Sequence, residues 1–77
     1  MDNKDIKSIH KAINDNIDAL KVLFESAKVM QSSIPNLTNE EDRETMKKQF
    51  SDVAEAINRL MESTTNLFEL LESTESE

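Results

Sequence analysis

Glu55, Glu62 and Glu69 recur every seven residues, and Glu72 follows one helical turn later. Carboxylates at that spacing share one face of an α-helix. Two kinds of chemistry suit such a row. The plainer is solvation of an outer face, which keeps a helical bundle soluble. The sharper is an acidic rod that docks on a basic protein surface, such as one that otherwise holds nucleic acid. Charge would then speed the encounter more than it tightens the complex.

The remaining reactive groups are sparse. His10 is the sole imidazole and the chain has no cysteine, which excludes disulfides and thiolate metal sites. A histidine that binds metal or senses pH needs a second histidine or a tight acid cluster on its own face. Asp5 and Asp15 are near His10 in sequence, but neither lies one helical turn away, so His10 reads as a flank residue. There is no Glu-x-x-His pair for a di-iron site. The run NEEDRE lacks the turn glycine and alternating ligands of a calcium loop. With no glycine in the chain there is no loop to cradle a phosphate. No nucleophile stands beside a base. The expectation is a protein with no catalytic residues, no metal and no cofactor.

Charge narrows the partners. The net charge of −7 falls wholly on the second half, because five lysines balance five acids up to Asn39. From Glu40 onward eleven acids face Arg43, Lys47, Lys48 and Arg59. Phosphate backbones and anionic lipids are bound through Lys and Arg, so neither direct nucleic-acid binding nor membrane docking is expected. Lys4, Lys7 and Lys11 do line up on the first segment, but Asp2, Asp5 and Asp15 dilute them. No apolar run approaches the roughly 20 residues of a membrane span. The polar, acid-bearing start MDNKDIKSIHKAIND resembles neither a signal nor a transit peptide, and the expected location is the cytoplasm. Asn36-Leu37-Thr38 matches a glycosylation sequon, which that location leaves unused.

Two elements must position these groups. Ile6, Ile13, Leu20 and Ala27 fall at heptad a, with Ile9, Asn16, Leu23 and Met30 at d. In the second segment Phe50, Ile57, Thr64 and Leu71 fall at a, with Met46, Val53, Leu60 and Leu67 at d. Helix one is expected over about 4–31, capped by Asp2 or Asn3, and helix two over about 39–72. A tail at 73–77 should fray. Between them SSIPNLTNEED reads as a turn over about 32–38. Ile34 precedes Pro35 and is steered out of helical geometry. Thr38 with Glu41 has capping-box spacing, and Glu40, Glu41 and Asp42 suit the positive end of the helix dipole. Ser63, Thr64 and Thr65 mark the weakest turn of helix two.

The apolar surface is wider than one hairpin needs. Besides a and d, helix one carries Ile17 and Phe24, and helix two carries Ala54, Met61 and Phe68. The opposite flank carries Ala12, Ala19 and Ser26, then Ala56, Ser63 and Leu70. So wide a stripe suits a helix that touches two neighbours. The fold class is therefore all-α, a single antiparallel two-helix hairpin that dimerises into a four-helix bundle. Ile17, Phe24, Met61, Phe68 and Leu70 are the expected dimer or partner interface. Met30, Met46 and Met61 with the two phenylalanines read as core or dimer filling, in preference to an adaptable binding groove. Asn16, polar in an apolar seam, is a candidate register residue that pairs with its symmetry mate. The preferred alternative turns Ile17 inward and Asn16 to solvent.

The functional expectation is a small non-catalytic protein-binding or regulatory homodimer. One rival is an acidic phage or mobile-element inhibitor that occupies a basic surface of a host protein. A second is a subunit or export partner ordered by another protein.

Overall fold

A computed structural model describes residues 3–75. Helix α1 spans Asn3–Ser33, a single 3-10 turn spans Ile34–Asn36, and helix α2 spans Glu40–Glu75. The two helices pack side by side as an antiparallel hairpin whose long dimension is 58 Å, against 14 and 12 Å across. Among the described residues every element is helical.

The seam follows the apolar periodicity. Ile9, Ile13 and Leu71 are buried together, with Ile6, Ile17 and Leu67 packed against them. Ile57 and Thr64 are buried further along α2. Nearer the turn the inward positions, among them Leu20, Leu23, Val53 and Leu60, are only half-buried. Two cylinders in contact shield one line of side chains, and a residue beside that line still meets water. Among the described residues no side chain is wholly enclosed.

The turn differs from its expected chemistry in one respect. Asn39, not Thr38, caps α2: its Oδ1 accepts the amides of Glu41 at 2.8 Å and Asp42 at 3.3 Å. The first helical hydrogen bond runs from the Arg43 amide to the Asn39 carbonyl, 3.0 Å. A carboxamide oxygen at the boundary residue itself reaches two free N–H groups, which a hydroxyl at Thr38 cannot do from one residue outside the helix. The Thr38–Glu41 pairing is therefore overturned. Asn39→Ala should cost about 1 kcal/mol of unfolding free energy, whereas Thr38→Ala should cost far less. Urea titrations of both variants followed by circular dichroism check the order, and equal losses would count against the Asn39 cap.

Helix α1 runs to Ser33, two residues past its expected end, and stops immediately before the Ile34-Pro35 pair. The Leu37 amide closes the 3-10 turn on the Ile34 carbonyl at 3.2 Å. At the other end, residues 73–75 are helical, and Thr74 is buried. Of the tail expected to fray, positions 76 and 77 lie outside the described residues, as does the cap suggested at Asp2.

The polar cluster at 63–65 does not interrupt α2. Thr64 and Thr65 donate their hydroxyls to the carbonyls of Leu60 and Met61, at 2.7 and 2.9 Å. Spent on a carbonyl four residues back, these groups do not compete for the helix's own amides. No described helix is long and apolar enough to cross a membrane.

Candidate interaction surface

Asn16 reaches across the hairpin to α2. Its Nδ2 donates to Ser63 Oγ at 3.3 Å and to Thr64 Oγ1 at 3.2 Å. Thr64 in turn donates to the Leu60 carbonyl, so the polar layer is a short relay inside an apolar seam. Asn16 is half-buried and bonded across the hairpin, so it is not turned out to solvent, while Ile17 does take an inward place against the core cluster as the preferred alternative expected.

That layer places residue n of α1 level with roughly residue 80 − n of α2, by the 1.5 Å rise common to both helices. In an antiparallel pair the two e flanks border one groove and the two g flanks the other. Phe24 and Ile17 of α1 therefore share a groove with Met61 and Phe68 of α2. Phe24, Met61 and Phe68 are 52%, 50% and 48% exposed, while Ile17 is half-buried against the Ile9–Ile13–Leu71 cluster. Phe24 and Phe68 stand about 18 Å apart along the axis, with Met61 between them.

Leu70 does not belong to this stripe. It lies roughly 200° around α2 from Phe68 and borders a shallow depression with Arg59, Glu62, Ser63, Asn66 and Leu67. Val22 and Val29 occupy that same second side on α1, 69% and 60% exposed. They line an open apolar depression of about 510 Å³ with Glu25, Ser26, Met30 and Met46. Sequence reasoning passed over both valines, because it sought surplus apolar residues only at positions flanking a and d. Their seven-residue repeat was the available signal.

The acidic row is exposed along α2, and Glu55 to Glu69 spans about 21 Å. Glu55 pairs with Arg59 at 2.7 Å, so its charge is partly answered within the helix. The pairs Lys11–Asp15, Glu44–Lys47 and Lys48–Asp52 are likewise local and exposed. Such pairs contribute a few tenths of a kcal/mol to helix stability. His10 is exposed. Among the described residues no group of three or more His, Asp or Glu side chains is arranged to hold a metal ion.

The arrangement offers surfaces: an apolar stripe on one side, a second apolar side with shallow depressions, and an acidic outer ridge. Comparison of the chain with protein-family models, with curated proteins and with solved structures returned no match to any of the three.

Proposed function

We propose that the chain is a small, non-catalytic protein-binding or regulatory protein that works as a homodimer, two hairpins closing into a four-helix bundle. The observation that carries this reading is the open apolar stripe of Phe24, Met61 and Phe68 on a hairpin too slender to cover it. The accessible surface is 5857 Å². A compact monomer of 8.8 kDa exposes about 4,800 Å². The surplus of about 1,000 Å² resembles the roughly 800 Å² that each partner buries in a standard-sized interface. The radius of gyration points the same way: 17.4 Å, against about 11.5 Å for a compact chain of this length.

Sedimentation and circular dichroism across a dilution series test the proposal. At high concentration the species should have twice the chain mass, and mass and helicity should fall together on dilution. A monomer that keeps its full helicity at every concentration defeats it. A chain weakly helical throughout supports the rival in which another protein's helices complete the fold.

The exposed ridge of Glu55, Glu62 and Glu69 favours an acidic face toward the partner protein, and with it the inhibitor reading in which that partner's surface is basic. Replacing the three with lysine should abolish capture of such a target, and added salt should weaken the wild-type complex. Binding that survives both changes would remove the ridge from the contact.

A further inference from the structure

We infer that the two copies pair through the Phe24–Met61–Phe68 side with their turns at the same end, α1 of one copy lying over α2 of its partner. This rests on the homodimer proposed above and adds which face is used and how the copies are oriented.

The stripe is itself symmetric about one height. In the register marked by the Asn16 bonds, Phe68 is level with roughly residue 12 of α1 and Met61 with roughly residue 19. The Phe24–Phe68 pair and the Ile17–Met61 pair are therefore both centred near residue 18. Two closed two-fold arrangements can bury such a stripe against itself. An axis along the hairpin keeps both turns together and lays α1 over the partner's α2. An axis across it, at the height of residue 18, sends the turns to opposite ends and lays α1 over the partner's α1. Apolar contact does not separate them, since each covers the same side chains.

The charged rims do. Beside the stripe, α1 presents Lys7, Asn14, Lys21 and Lys28, and α2 presents Ser51, Asn58, Thr65 and Glu72, all exposed. With turns at opposite ends, Lys7 comes level with Lys28 of the partner subunit, twice per dimer by symmetry. With turns at the same end, Lys7, Lys21 and Lys28 come level with the rim of the partner's α2, which holds no base. Like charges facing across a rim suppress an arrangement, and complementary rims select one. The same-end dimer avoids the repulsion.

The second side, with Val22 and Val29, offers no continuous stripe: its depressions sit at different heights and between different residues, and Glu25, Arg59 and Glu62 border them.

The absence of cysteine makes a distance test direct. Thr38→Cys, at an exposed position in the turn, takes one spin label per chain. In a same-end dimer the two labels should lie within about 30 Å, because only the bundle's width separates them; turns at opposite ends would put them about 55 Å apart. A dimer with the long distance overturns the orientation and leaves the homodimer standing. A monomer overturns both. Lys7→Glu gives an independent readout of opposite sign. The same-end dimer should weaken several-fold as the introduced carboxylate approaches the rim holding Glu72, whereas the opposite-end dimer would tighten. If Val22→Glu with Val29→Glu dissociates the dimer and Phe24→Glu with Phe68→Glu does not, the chosen face is wrong.

Discussion

Phe24→Glu combined with Phe68→Glu should leave a species of one chain mass at concentrations where the wild-type chain is dimeric. Each large apolar side chain withdrawn from water contributes about 1.5–3 kcal/mol. Four phenyl groups per dimer are lost, and about 1.4 kcal/mol is a factor of ten in the dissociation constant. Both phenylalanines are already about half covered in the hairpin, at 52% and 48% exposed, so dimerisation adds about half of that for each, and the constant should rise by at least about 10²-fold, before any cost of placing carboxylates in the interface. Helicity should fall with the mass, since a hairpin with no wholly enclosed side chain among its described residues has little core of its own. Val29→Glu is the control, because Val29 lies on the other side and is already 60% exposed. It should leave the mass unchanged. Analytical ultracentrifugation of the three proteins decides the matter, and a double variant that still sediments as a dimer would take the phenylalanines out of the contact.

Ile13→Ala should have the largest effect within the hairpin seam. Ile13 is the most buried apolar side chain among the described residues, 4% exposed, and it packs with Ile9 and Leu71. Truncating a buried isoleucine to alanine costs about 2–5 kcal/mol, through lost transfer energy and the gap left behind. For a domain whose whole stability is about 5–15 kcal/mol, the thermal midpoint at fixed concentration should drop by roughly 10 °C or more. The change acts on both copies of a dimer. Val29→Ala should move the midpoint hardly at all, because an exposed side chain has little burial to lose. Thermal melts followed by circular dichroism give the comparison, and equal shifts would mean that the seam is not where the stability resides.

Much of the hairpin was legible because helices are local. The a and d positions repeat through hydrogen bonds four residues apart, so a periodicity of apolar residues states where each helix is and which side faces inward. Pro35 and the polar residues around it locate the reversal for the same reason. The cap was placed one residue early: both Thr38 and Asn39 are cap-forming types, and only the backbone path shows which side chain reaches the free amides. The expected fraying from residue 73 follows from nearness to the terminus. It overlooked Thr74, which continues the inward row and is buried.

The surplus apolar residues were visible in the sequence, but not how they divide. Ile17, Phe24, Met61, Phe68 and Leu70 are expected as one interface, although Leu70 sits on the opposite flank of its helix. In the hairpin Ile17 packs against the core cluster, and Leu70 stays on the far side, where Val22 and Val29 line a second depression. Sides of a pair exist only once two helices have been placed together. Asn16 shows the same division. Its sequence position allowed two fates, solvent or a symmetry mate, and the fold supplied a third through Ser63 and Thr64. By itself, then, the amino-acid sequence determined two long amphipathic helices, one turn and an acidic second half, because each follows from spacing and charge along the chain. Only the tertiary structure decided the register of the helices and which apolar residues stay open to water, because these depend on residues 47 or more positions apart arriving at the same height.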